Sequence, residues 1–191
     1  MRYYKLDTLG DTRDRDLCLL EDEPKDMGLE GYYLAMGKPA RDHIPADLSI
    51  SMSEDYPGIV TASLIGNFKN YLLASTAMKE TIERHCAGLD IEYFQFALIN
   101  HKGRVHTRDY WIVNPIGAYD CLDFGASKIK YSGSDIVSIK ERVLSAAKLA
   151  GAPSLFRIAR DVQTYVVAEP LAEAFGAEGF TNVVLKEMKV A

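Results

Sequence analysis

The segment from Ile91 to Pro115 constrains this chain more than any other. Ile91-Glu92-Tyr93-Phe94-Gln95-Phe96-Ala97-Leu98-Ile99 sets Phe94, Phe96 and Leu98 on one face of an extended strand and Tyr93, Gln95 and Ala97 on the other. Asn100-His101-Lys102-Gly103 has the length of a hairpin loop, with glycine where a positive φ is often needed. Arg104 to Val113 then returns as the partner strand, and Asn114-Pro115 ends it because proline cannot donate to the ladder. An antiparallel pair at the centre of a sheet is the expected product. The fold class that follows is α+β, a largely antiparallel sheet with a few helices packed on it.

The remaining elements are read around that pair. Residues 1–9 alternate loosely through Tyr3, Tyr4, Leu6 and Leu9 as an opening strand would, and the glycine-flanked run Tyr32 to Met36 predicts a short strand. Residues 39–58 carry three prolines and little periodicity, which predicts a long irregular connection. Asn67 to Leu73 shows helical spacing at Phe68, Tyr71 and Leu72. The clearest helix starts at Ser75 or Thr76 and runs to Cys86, with a hydroxyl N-cap, an apolar face of Met78, Ile82, Cys86 and Leu89, and Gly88 as its stop. A second hairpin is expected around Ser132-Gly133-Ser134, a helix over Glu141 to Ala150, and two strands at Leu155 to Ile158 and Thr164 to Val167. A short helix with Pro170 in its first turn and a final strand over Thr181 to Met188 close the chain. No repeat or low-complexity linker divides the 191 residues, so a single domain over 1–191 is expected, with an acidic, partly irregular N-terminal segment at about 1–58.

Charge narrows the function classes. The formal net charge is -5, which argues against a nucleic-acid binder, since phosphates demand a basic footprint. From Lys5 to Asp26 eight acids face four bases, so four of the five net negative charges lie in this one segment. Such a run is read either as a solvated loop around Leu17-Cys18-Leu19-Leu20 or as an electronegative patch that steers a basic partner. The three cysteines are widely spaced without a Cys-x-x-Cys, which fits reduced thiols rather than a disulfide framework or zinc site. No signal-peptide pattern and no membrane-length apolar run is found, so a cytoplasmic protein with no membrane contact is expected.

The search for catalytic chemistry is unproductive. Gly28, Gly31 and Gly37 miss both phosphate-loop spacings. His101 and His106 flank one turn without a carboxylate pattern, and His85-Cys86 point about 100° apart on a helix, too far for a dyad. Ser127 lacks a nucleophile elbow. Asp120 and Asp123 could serve as paired carboxylates with a histidine in a small hydrolase or transferase, or as turn fixtures. No metal or cofactor is expected. With aromatic side chains at 10% of the chain, weight shifts to binding, where tyrosine and tryptophan are common anchors. Tyr3, Tyr4, Tyr32, Tyr33, Tyr56, Tyr110 and Tyr119 have neighbours polar enough to leave a hydroxyl exposed.

Several segments also recur in a familiar order. They are the Tyr3-Tyr4-Lys5-Leu6 start, the helix Ser75 to His85, the aromatic strand Ile91 to Ile99, Tyr110-Trp111-Ile112-Val113-Asn114 with Asp120-Cys121-Leu122-Asp123 and Ser127-Lys128, Leu155-Phe156-Arg157-Ile158, and Thr164 to Val167. In that order the chain resembles the immunity proteins of bacterial polymorphic toxin systems, in particular the eleventh family of the series, formerly a domain of unknown function. The resemblance implies a non-catalytic protein that neutralises a cognate toxin domain by direct protein–protein binding. The electronegative-patch reading and the exposed tyrosines, not the resemblance, make Asp14, Asp16, Glu21, Asp22, Glu23, Tyr32, Tyr33 and Tyr119 the candidate partner-binding residues, facing a toxin that is expected to be basic.

Overall fold

The computed structural model describes residues 1–191. Its strands in chain order are β1 (Tyr3–Asp7), β2 (Leu19–Leu20), β3 (Ser49–Ser51), β4 (Gly66–Asn67), β5 (Leu72–Ser75), β6 (Ile91–Ile99), β7 (Val105–Pro115), β8 (Lys128–Ser132), β9 (Asp135–Glu141), β10 (Val143–Leu144), β11 (Leu155–Ile158), β12 (Asp161–Ala168), β13 (Val184–Glu187) and β14 (Lys189–Val190). Three α-helices accompany them, α1 (Tyr32–Met36), α2 (Thr76–His85) and α3 (Glu169–Ala177). One four-stranded sheet has the order β11-β12-β1-β13 and is wholly antiparallel. The other has the order β3-β6-β7-β5, with β6 and β7 at its centre and only β3 parallel to its neighbour. The fold is therefore α+β and mostly antiparallel, with the expected hairpin at the middle of a sheet.

Side-chain alternation stacks these sheets into layers. Between them lies a core to which β1 contributes Leu6, β5 Leu72 and Ala74, β7 Val113 and β12 Tyr165 and Val167. The helices close this core with Met78 and Ile82 from α2 and Leu171 and Phe175 from α3. The opposite face of the β6–β7 sheet carries Ile50, Phe96, Leu98, Tyr110 and Ile112, and it is covered by Cys18, Leu20, Met27 and Leu34 from the N-terminal third. The opposite face of the β1–β12 sheet carries Tyr3, Phe156, Ile158 and Val166, under Cys121, Leu122, Leu144 and Met188. Apolar layers thus lie on both faces of each sheet. That is why Leu155 to Ile158 and Thr164 to Ala168 are buried without a break.

Helix α2 is set by local chemistry. Ser75 is its N-cap and accepts from the Met78 N–H at 3.4 Å, while Met78 and Ile82, at a one-turn spacing, are fully buried. Each such burial stabilises by about 1.5–3 kcal/mol. Leu89, expected on the same face, is 36% exposed, because the helix ends at His85 and the chain turns away through Gly88 at φ 83°. Pro170 sits in the first turn of α3 as expected.

Four expectations are corrected. Tyr32 to Met36 is a helix, not a strand: Gly31 is its N-cap and Gly37, at φ 64°, its left-handed C-cap, so the glycines delimit a helical turn. Asn67 to Leu73 is not helical. The Asn67 side chain bonds the backbone of Tyr71 in both directions, Nδ2 to the carbonyl at 2.8 Å and the N–H to Oδ1 at 2.9 Å, closing a turn that delivers the chain into β5. Glu141 to Ala150 is also not a helix. Val143 and Leu144 pair in parallel with Lys189 and Val190, and tertiary pairing outweighs the helical composition. Finally, Tyr3 and Tyr110 are buried, the Tyr110 hydroxyl donating to the Ala62 carbonyl at 2.8 Å.

All three cysteines are free and buried. Burial pushes the Cys18 thiol up to about 12 and the Cys86 and Cys121 thiols up to about 11, so thiolate is scarce at neutral pH. Native protein at pH 8 is expected to react with none of its three thiols in a colorimetric thiol titration on the minute scale, and with all three after unfolding in guanidinium. A fast native thiol would show that its layer opens locally.

Candidate functional site

The acidic N-terminal segment is folded by its own aspartates. Asp7 Oδ1 accepts from Leu9 N–H, Asp11 Oδ1 from Arg13 N–H and Asp14 Oδ1 from Asp16 N–H, three successive Asx turns at 3.0–3.1 Å. The Asp11 N–H donates to Asn182 Oδ1 at 2.7 Å, which ties the segment to the C-terminal region. Cys18 N–H then donates to the Val60 carbonyl and Val60 N–H to the Asp16 carbonyl, both at 2.8 Å, so Leu17 and Val60 form a parallel bridge. Past that bridge, β2 pairs in parallel with β4.

Between this zipper and the turn at Asp55-Tyr56-Pro57 lies a groove of about 590 Å³. Leu9, Leu17 and Pro57 contribute apolar wall, and Tyr56 and Phe68 stack beside it with centroids 5.4 Å apart. Both rings stay open to solvent, Tyr56 at 44% and Phe68 at 47% exposure, and Ile59 and Val60 next to them are more than half exposed. Asp11, Asp14 and Asp55 line the groove along with Arg15, and Asp16 is exposed beside it. Asp11 is paired with Arg13, whose hydrogen bonds hold its carboxyl down at about 2. Asp14, Asp16 and Asp55 have no cation within ion-pair distance. The groove thus combines an apolar wall with a charged rim.

The sequence-derived candidates divide. Asp14 lines this groove, and Asp16 is exposed two residues further on, outside its lining. Glu21 accepts from the Ser53 hydroxyl, Asp22 is exposed, and Glu23 lies 3.7 Å from Lys69 Nζ. Tyr32 and Tyr33 stack edge to face at 4.9 Å; Lys38 donates to the Tyr32 hydroxyl at 2.7 Å, and Tyr33 packs on His43. Tyr119 belongs to a different layer: its ring packs on Phe156 at 5.2 Å and its hydroxyl donates to the Lys148 carbonyl at 3.0 Å. Sequence reasoning missed the pairing of Tyr56 with Phe68. The available signal was two large aromatics in turn-rich segments, one beside Pro57-Gly58 and one between Asn67 and Lys69.

The carboxylate pair proposed for catalysis is occupied elsewhere. Asp123 Oδ1 accepts from the N–H groups of Gly125 and Ala126, both at 2.9 Å, as a turn fixture does, and Asp120 pairs with Lys148 Nζ at 2.9 Å. His101 Nε2 bonds the Ser53 carbonyl and His43 stacks on Tyr33, so neither joins them. The hydrolase or transferase alternative finds no support in this geometry.

The groove beside Tyr56 and Phe68 gathers exposed aromatic side chains and carboxylates in one place. A family model of immunity proteins matches residues 3–190, nearly the whole chain. The chain belongs to the Immunity protein family (Imm11). A comparison with curated proteins finds no match. Membership agrees with the ordered segments noted in the sequence, and it places all three layers of this Imm11 chain, the N-terminal segment included, inside the family's extent. No helix of this Imm11 chain is long and apolar enough to cross a membrane.

Proposed function

We propose that this chain neutralises a cognate toxin domain of a bacterial polymorphic toxin system by direct, non-catalytic binding in the cytoplasm. The observation that carries the reading is the family match over residues 3–190. The surface supports it: aspartates without cations border exposed aromatic and aliphatic side chains, and carboxylates unpaired within the chain remain available to a basic toxin surface. In such an interface charge mainly sets the association rate, while desolvated anchors set the lifetime.

The test is co-expression with the toxin encoded beside it. Cells carrying both are expected to grow and to yield a stable complex on pull-down, whereas equal killing with and without this chain would sink the reading. Reversing charge with Asp14→Lys and Asp16→Lys is expected to slow association about tenfold at low salt, with the difference shrinking towards 0.5 M salt as screening takes over. Stopped-flow mixing at two ionic strengths reads this directly. An association rate untouched by the reversal would remove the basic-partner part of the reading.

A further inference from the structure

We propose that the groove beside Tyr56 and Phe68 is a seat for one cationic side chain, an arginine or lysine projected by the partner protein. The proposal rests on the toxin-binding reading above and adds which chemistry the partner presents, and where.

Three observations carry it. The first is chemical: one groove combines aromatic faces, apolar wall and carboxylates. Leu9, Leu17 and Pro57 match the aliphatic stem of a long side chain, the Tyr56 and Phe68 rings match its cationic head through cation–π attraction, and Asp14 and Asp55 supply the counter-charge. The second is that these groups are not consumed internally. Asp11 is held by Arg13, while Asp14 and Asp55 have no ion pair and outnumber Arg15, the one cation lining the groove, and each ring keeps nearly half its surface.

The third is rigidity. A Cβ on Gly58 would lie 2.3 Å from the Leu17 carbonyl oxygen, and one on Gly66 would lie 2.3 Å from the Leu9 carbonyl oxygen. The walls therefore meet backbone against backbone, and the Leu17–Val60 bridge locks them. A groove fixed in this way loses little conformational entropy on binding. Charge also decides against a second copy of this chain as occupant. With a net charge of -5, two copies repel, and the groove's own rim is acidic.

Two measurements test the proposal, both on the full chain. In the first, isotope-labelled protein is titrated with N-acetyl-arginine methylamide and with the neutral isostere N-acetyl-citrulline methylamide. Saturable shifts at Tyr56, Phe68 and Asp14 with the arginine probe only are expected. No saturable shift, or equal shifts with citrulline, overturns the seat.

In the second, affinity for the adjacent toxin domain is measured for Tyr56→Ala with Phe68→Ala, and for Phe68→Leu, which keeps apolar area but removes the ring. The double variant is expected to lose about 30-fold or more and Phe68→Leu about fivefold, while Tyr131→Ala with Val137→Ala on the β8–β9 hairpin stays within threefold. These side chains are all exposed, and an unchanged unfolding midpoint assigns the losses to binding. Groove variants that bind as wild type overturn the seat and leave toxin binding standing. A wild-type chain that does not bind the toxin overturns the neutralising reading, while the arginine titration still decides the seat.

Discussion

Replacing Arg157 with methionine is expected to destabilise the fold by about 3–5 kcal/mol, because several buried acceptors lose their donor at about 1–3 kcal/mol each before relaxation. Arg157 is fully buried on β11, on the face between the two sheets. It has no carboxylate partner. Its guanidinium donates instead to four main-chain carbonyls, Leu34 at 2.7 Å, Ala35 at 2.8 Å, Val162 at 2.9 Å and Pro115 at 3.3 Å, and to the Tyr165 hydroxyl at 2.5 Å. Leu34 and Ala35 are in the last turn of α1, where carbonyls lack helical donors and the helix dipole favours a cation. The Tyr165 ring lies 4.1 Å beneath the guanidinium, and the Tyr165 hydroxyl passes a hydrogen bond on to the Asn70 carbonyl at 3.2 Å. Desolvation pulls the Arg157 pKa down, offset by Tyr165, and an arginine stays charged through such a shift.

One side chain therefore joins α1, β7, β11 and β12 directly, and through Tyr165 the turn before β5. Methionine fills much of the volume but removes the guanidinium donors from five acceptors, each loss costing about 1–3 kcal/mol where no other donor reaches the group, with relaxation absorbing part of the sum. Arg157→Lys keeps the charge, yet three donors on a single nitrogen cannot reach acceptors spread around a planar fork, so it should recover less than half of the loss. Urea unfolding of the full chain measures both. A methionine variant within about 1 kcal/mol of wild type would mean that the carbonyls find other donors.

Arg157 also marks where reading the sequence stops. The β6–β7 hairpin was legible because its alternation is long and its loop short, and α2 because a hydroxyl cap precedes an apolar face. Both signals are local. Leu155-Phe156-Arg157-Ile158 shows a strand with an arginine in it, and nothing within that strand says that the arginine faces inward. Its partners Leu34 and Ala35 lie 123 and 122 residues away, on a helix that the sequence suggested was a strand. The candidate site divides in the same way. The acidic run is visible as composition, and its Asx turns follow from aspartate chemistry. The groove needs Tyr56 and Phe68, which flank the irregular Pro57–Gly66 stretch and meet only because Leu17 pairs with Val60 and β2 with β4. Where a contact depends on pairing between segments far apart or irregular, periodicity carries no information about it.

Glu92 gives the second large effect. Glu92→Leu is expected to cost about 2–4 kcal/mol, from two or more buried donors left unpaired at about 1–3 kcal/mol each before relaxation. In sequence Glu92 falls on the same face of the strand as Phe94, Phe96 and Leu98, a charged group on an otherwise apolar face. In the structure it is 6% exposed, because residues 38–41 wrap over it. Its carboxylate accepts from the Ala40 N–H at 2.8 Å, the Arg41 N–H at 3.3 Å and Asn114 Nδ2 at 3.2 Å. Asn114 Oδ1 is itself buried without a partner, so the amide is held by Glu92 and the Lys38 carbonyl alone. The Arg41 guanidinium, 3.8 Å away with its side chain 76% exposed, contributes little, as surface ion pairs do.

That contrast makes the cause separable. Arg41→Ala should change stability by less than about 0.5 kcal/mol, whereas Glu92→Gln, which turns the oxygen that accepts from the Arg41 N–H into a donor facing it, should cost about 1–3 kcal/mol. If Arg41→Ala and Glu92→Gln prove equally costly in urea unfolding, the ion pair and not the backbone contacts holds residues 38–41 against β6. If only the glutamate substitutions destabilise, Glu92 serves this turn as Asp123 serves its own, a carboxylate organising main-chain N–H groups where the fold has no strand to pair them.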